Sequence, residues 1–157
     1  MKIIDQFLDQ KNFNQLKELI CGNEFPWYFY NGVNLIGDGY CQFVHTFYEN
    51  DKVLSGYFNL MLPFLEKLKC KTLVRIKTNL LTKTEKNVQH GYHIDFDNTK
   101  TAIFYILTTN GKTYFKDKDP VDCKENRIVI FDSKLYHSSS TSTDSNQRIV
   151  INFNYHE

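Results

Sequence analysis

The stretch Gly91-Tyr92-His93-Ile94-Asp95-Phe96 decides how this chain is read. Side chains alternate along an extended backbone, so residues i and i+2 share a face. The imidazole of His93 and the carboxylate of Asp95 therefore converge. Alone, such a pair is equally a surface ion pair on an edge strand. Downstream, His137 offers a second imidazole, and Arg148 follows it after ten residues, none of them cationic. Two imidazoles and a carboxylate form a facial donor set that leaves open positions on a ferrous ion. His90 competes only superficially, because residues three apart on a strand point to opposite faces.

Arg148 opens Arg148-Ile149-Val150-Ile151-Asn152-Phe153-Asn154-Tyr155. Alternation puts Ile149, Ile151, Phe153 and Tyr155 on one apolar face and turns Arg148, Val150, Asn152 and Asn154 the other way. An inward arginine needs an anion, since an unpaired buried charge costs several kcal/mol. Its guanidinium fork suits one end of a dicarboxylate, or a structural partner such as Asp132 or Asp144.

Upstream, Phe13, Leu16, Leu19 and Ile20 share one helical face between a cap at Asp9 and a stop at Gly22. Tyr57, Leu60, Met61, Phe64, Leu65 and Leu68 mark a second helix, which Pro63 kinks or restarts. After Cys70 the period changes to two. Val74, Ile76, Thr78 and Leu80 alternate with Arg75, Lys77 and Asn79. A polar loop (82–89), a strand around His93, and strands at 101–108, 112–115, 127–131 and 147–155 follow. Asn110-Gly111 is a hairpin signal. The aromatic run Phe25 to Tyr30 either stacks a substrate ring or packs helix on sheet, and Ser138 to Ser145 reads as a solvated turn. Helices followed by strands predict an α+β fold with the helices on one face of a sheet.

The 157 residues make one domain, with residues 1–70 as helical support and 71–157 as the strand-rich core. A hydrophobic fraction of 41% and an aromatic fraction of 15% argue against disorder. A net charge of +1 without a basic block argues against a nucleic-acid partner. No apolar run suits a signal peptide or a membrane span, so no membrane partner is expected. The four cysteines lack Cys-x-x-Cys spacing and read as reduced, mostly buried thiols in a cytoplasmic protein.

With His93, Asp95, His137 and Arg148 in that order, the chain resembles the 2-oxoglutarate/Fe(II)-dependent dioxygenases, prolyl-hydroxylase-like branch. Ile103 to Leu107 and Asn110 to Phe115 look like that family's central strands. Ile3 to Leu8 and Phe25 to Tyr28 look like its small stand-alone phage and bacterial members. The resemblance implies a double-stranded β-helix, or jelly roll, with Fe(II) on His93, Asp95 and His137 and 2-oxoglutarate on Arg148. It also implies hydroxylation of a C–H bond, on a prolyl or other peptidyl substrate or on a small molecule. Succinate and CO2 are released, with ascorbate as a candidate reductant and the host cytoplasm as the location if the chain is phage-encoded. The family often places a serine two residues after the arginine, where Val150 stands here. Tyr105 is the candidate second anchor, or else a core tyrosine bonded to backbone, and Asn79 is a further candidate lining residue. The alternative reading is a metal-containing jelly roll that binds without turnover.

Overall fold

One strand runs through the middle of the molecule and sets both faces of its main sheet. This is β11 (Gln147–His156) of the computed structural model, which describes residues 1–157. Ile149, Ile151, Phe153 and Tyr155 of β11 are buried on one face. There they meet Phe13, Leu16 and Ile20 of α1 (Gln10–Cys21) and Phe64 of α2 (Leu62–Lys67) in the larger core. Asp9 caps α1 by accepting the Asn12 N–H, and Gly22 ends it. A 3-10 turn at Phe58–Met61 precedes α2. Pro63 lies in the first turn of α2, where no intrahelical N–H is needed, so it starts that helix and kinks nothing.

On its two edges β11 pairs antiparallel with β5 (Thr72–Thr82) and β6 (Lys100–Tyr105). The remaining strands of the main sheet are β1 (Lys2–Ile4), β2 (Tyr28–Tyr30), β3 (Gln42–Glu49), β4 (Lys52–Val53) and β9 (Arg127–Asp132). The order is β1-β9-β6-β11-β5-β3-β2, with β4 on β3. A second sheet has the order β10-β7-β8, from β7 (Lys112–Phe115), β8 (Lys118–Asp122) and β10 (His137–Ser139). Between the sheets lies a smaller core of Ile103, Phe115, Val121, Val129, Phe131 and Val150, among others. Every strand residue of that core comes from β6, β7, β8, β9 or β11. The second sheet therefore covers one half of the main sheet and leaves the inner faces of β5, β3 and β2 as the open side. Two antiparallel sheets enclosing a core, with the helices outside, make the expected jelly roll.

Several local expectations are corrected. Residues 1–70 are not helical support alone, since they supply four strands. In β3 the buried residues include Gln42 and His45, whose side chains bond Val33 O, Ser55 Oγ and Pro26 O, so hydropathy hides the strand. The strand around His93 shrinks to a single bridge with His137. Ser138, Ser140 and Ser142 are buried, so the serine run is not a solvated turn throughout. Its hydroxyls are satisfied locally, as where Ser140 Oγ accepts the Lys112 N–H and Ser138 Oγ the Gln89 amide. Of the cysteines, all free, only Cys123 is buried, and Cys41 is exposed. Phe25 packs against Trp27, His45, Phe47 and Tyr57, whereas Tyr28, Phe29 and Tyr30 form an exposed edge strand. No helix is long and apolar enough to cross a membrane.

The Asn110-Gly111 pair closes no hairpin. It carries the chain from β6 in one sheet to β7 in the other. Asn110 is tied down by Asp144 and Thr143. Gly111 is needed for space and not for a left-handed backbone: a Cβ there would lie 2.6 Å from Cδ of Arg148 and 2.9 Å from the Thr141 carbonyl oxygen. Gly111→Ala should therefore cost about 1–3 kcal/mol in urea denaturation, typical of overpacking. Gly56→Ala, where a Cβ meets nothing within 4 Å, should cost far less. Equal losses at the two positions would refute this packing role.

Candidate metal centre and anion site

His93 and His137 face each other across that lone antiparallel bridge. Each backbone N–H donates to the other's carbonyl, at 2.9 and 3.0 Å, and the ring centres are 4.4 Å apart. Asp95, two residues on, turns to the same side, and its backbone N–H donates to Ser133 O. One ligand atom from each of the three lies within 4.8 Å of the others. His93 Nε2 is 3.9 Å from Asp95 Oδ1, and His137 Nε2 is 3.8 Å from Asp95 Oδ2.

The surrounding bonds prepare these groups as ligands. His137 Nδ1 lies 2.9 Å from the Leu135 carbonyl, which only accepts, so Nδ1 carries a proton and Nε2 is the nitrogen turned toward Asp95. Burial, with His137 beside it, pushes the His93 pKa down to about 4, so this imidazole is neutral near pH 7. For Asp95, burial opposes ionisation, but His137, Thr101 and Asn154 outweigh it and hold the carboxyl below its usual range. Asp95 Oδ2 accepts from Thr101 at 2.7 Å and from Asn154 at 3.0 Å, leaving Oδ1 without a hydrogen bond. A neutral His93 imidazole, a His137 ring whose Nε2 faces the same point and a carboxylate with a free oxygen suit a divalent transition metal. The residues fit such an ion.

Arg148 lines the same cavity, which encloses about 640 Å³ including its open mouth. It is 2% exposed, yet it pairs with no carboxylate. Asp144 is occupied by the Asn110 N–H and Asp132 by the Lys134 N–H, so neither proposed structural partner serves. Arg148 Nη2 makes only long contacts, 3.3 Å each, to Lys112 O and Thr113 Oγ1, and its Nε has no partner. A desolvated guanidinium so poorly satisfied favours an anion beside it.

Of the other expected residues, Asn79 lines the cavity; its amide nitrogen donates to Gln42 at 2.8 Å and its oxygen is buried without a partner. Tyr105 stands behind the wall, fully buried, and donates its hydroxyl to Thr113 Oγ1 at 2.8 Å. Thr113, which sequence reasoning missed, is the hydroxyl that lines the cavity beside Arg148. Thr101 and Asn154 were also missed, although Asn154 was expected to face inward. They stand directly opposite each other on β6 and β11, a pairing that needs the strand register. The 82–89 loop leads to a neighbouring depression, with Thr82, Thr84 and Val88 on its wall. Val33 and Asn34 line the cavity of His93, Asp95 and Arg148.

No protein-family model and no curated protein matches the sequence. Solved structures are similar in fold. A 2OG-Fe(II) oxygenase-family oxidoreductase from Burkholderia pseudomallei matches with TM-score 0.69 and 12% identity over 98% of this chain and 84% of its own. A Trichoplax adhaerens prolyl hydroxylase, in complex with a hypoxia-inducible-factor peptide fragment, matches with TM-score 0.67 and 13% identity over 98% and 82%. HygX from Streptomyces hygroscopicus, with nickel and 2-oxoglutarate bound, matches with TM-score 0.64 and 10% identity over 98% and 81%. The chain thus has the double-stranded β-helix fold of the 2-oxoglutarate/Fe(II) oxygenases.

If the three side chains form a metal site, Asp95→Ala removes its only charged ligand. Calorimetry with Mn(II) should then show one ion per wild-type chain and at least a hundredfold weaker binding, about 2.7 kcal/mol, in the variant. Wild-type affinity in both Asp95→Ala and His137→Ala would place any metal elsewhere.

Proposed function

We propose that this protein is an Fe(II)- and 2-oxoglutarate-dependent dioxygenase that hydroxylates a C–H bond and releases succinate and CO2. The observation that carries this reading is Arg148, a buried cation without a protein anion, in the same cavity as His93, Asp95 and His137. A facial triad alone suits many metal sites; the added anion site selects a dicarboxylate cosubstrate.

His93, Asp95 and His137 would hold Fe(II), and Arg148 would hold the far carboxylate of 2-oxoglutarate. When bound, the ferrous ion would supply the redox centre for dioxygen activation; loss of CO2 from the oxo acid provides two electrons and the substrate C–H bond the other two, with one oxygen atom ending in succinate and the other in the substrate. The chain's own part is positional. Thr101 and Asn154 fix the Asp95 carboxylate, and the Leu135 carbonyl fixes the His137 tautomer. Because Thr113 Oγ1 accepts the Tyr105 hydroxyl, its own hydrogen is free for the ligand carboxylate. Thr113 thus fills the role of second anchor, with Tyr105 as a positioning residue behind it. Leu81, Ile103 and Val150 add apolar wall, which excludes water and strengthens the charged contact.

Arg148→Ala should weaken 2-oxoglutarate binding at least tenfold, since a charge-assisted bidentate contact is worth about 2 kcal/mol, and should leave Mn(II) binding unchanged. Tyr105→Phe should cost less than Arg148→Ala. Anaerobic titration of the metal-loaded proteins measures both. The activity itself is tested by succinate release from protein supplied with Fe(II), ascorbate, dioxygen and 2-oxoglutarate. Release should be slow alone and faster with a substrate-containing host lysate, and its complete absence in both conditions would leave a binding module.

A further inference from the structure

The cavity holds more positive charge than the cosubstrate can use. Arg75, Lys77 and Arg148 line it, and Asp95 is the single acidic residue of its wall. A divalent ion and the oxo-diacid dianion cancel in formal charge, so the excess persists when both are bound. Arg148 is accounted for by the cosubstrate. Arg75 lies with one guanidinium nitrogen 3.8 Å from Asp95 Oδ1 and stacks 4.8 Å from the Phe96 ring centre. Lys77 has neither an ion pair nor a hydrogen bond; its ammonium stands 5.8 Å from the centre of the Tyr30 ring. Burial, with Arg75 nearby, lowers its pKa to about 8. The chain thus maintains a partly desolvated cation next to another, at a cost that the Tyr30 ring, Asp95 and Glu49 offset only in part.

Resting on the oxygenase reading above, we propose that the substrate carries a carboxylate and that Lys77 is the specificity residue that binds it. Of the three cations only Lys77 has neither an ion pair nor a hydrogen bond, so it is the one free to bind a carboxylate. Its position supports a substrate-side role. Lys77 lies on β5 opposite Asn152 of β11 and Thr46 of β3, on the half of the main sheet left open by the second sheet. Beyond it the edge strand β2 presents Tyr28 and Tyr30 at 62% and 37% exposure. An extended substrate lying over β5 and toward β2 would place an acidic group on Lys77 and apolar groups on these tyrosines.

The carboxylate can belong to an Asp or Glu side chain of a peptide or to the side chain of a free acidic amino acid, and the test separates the two. Full-length protein loaded with Mn(II) and 2-oxoglutarate is immobilised and exposed to a random hexapeptide library, with the retained pool read by mass spectrometry. In parallel, L-glutamate against L-glutamine and L-aspartate against L-asparagine are titrated into the same protein. The expected result is about tenfold preference for acid over amide in one of the two arms, the size of one charge-assisted hydrogen bond. The peptide arm assigns the carboxylate to a side chain, and the amino-acid arm to a small metabolite. Lys77→Met should abolish the preference and Lys77→Arg should retain it, with 2-oxoglutarate affinity unchanged in both. No preference for acid in either arm, or a preference that survives Lys77→Met, overturns the proposal. Failure of 2-oxoglutarate to bind wild type would count against the oxygenase reading instead, and the same two arms run with Mn(II) alone would still decide the carboxylate question.

Discussion

Everything near the site depends on β11 being packed on both sides at once. Its outward residues, Ile149, Ile151, Phe153 and Tyr155, are fully buried under the helices. Three of its inward residues supply the chemistry. Arg148 lies at one end, Asn152 lines the middle of the cavity, and Asn154 grips Asp95 at the other. A one-residue slip against β5 or β6 would exchange these faces, burying amides in the apolar core and removing Arg148 from the cavity. The large core thus fixes the register on which the distance between anion site and triad depends.

That coupling explains why a cation as costly as Arg148 is tolerated. Removing its charge from water is opposed by several kcal/mol, and the local compensation is two long contacts and the Tyr105 ring 5.9 Å away. Packing of the opposite face of the same strand holds it there. Gly111 removes the side chain that would crowd it, so a backbone crossing between the sheets and a buried charge share one glycine. On the metal side the pattern reverses. The bonds from Thr101 and Asn154, the His137–Leu135 contact and the backbone bridge all favour donor states ready for a cation.

The elements that were legible in the sequence are those with one dominant period. The spacing of Phe13, Leu16 and Ile20 and the alternation of β5 and β11 each point to a single face, so the helix, the strands and the inward set including Arg148 follow directly. His93 and Asp95 converge by the same i, i+2 rule even though their segment makes only one bridge. What escaped were features defined by partners distant in sequence. Gln42 and His45 disguise β3 because their burial is made affordable by side-chain bonds to Val33, Pro26 and Ser55. The Asn110-Gly111 turn does not reveal which sheet the chain enters next. Thr113 became visible only once β7 was folded over Arg148, and Tyr105 proved to bond to it from behind.

On the function proposed here, His93, Asp95 and His137 hold a metal while Arg148 holds the far end of a dicarboxylate in the same cavity. A crystal structure of the protein grown with Mn(II) and 2-oxoglutarate tests both halves together. The expected result is one metal on the three side chains and one 2-oxoglutarate whose distal carboxylate bonds the Arg148 guanidinium and the Thr113 hydroxyl. A metal bound elsewhere, or an Arg148 that pairs with a protein carboxylate while 2-oxoglutarate lies outside the cavity, would contradict it.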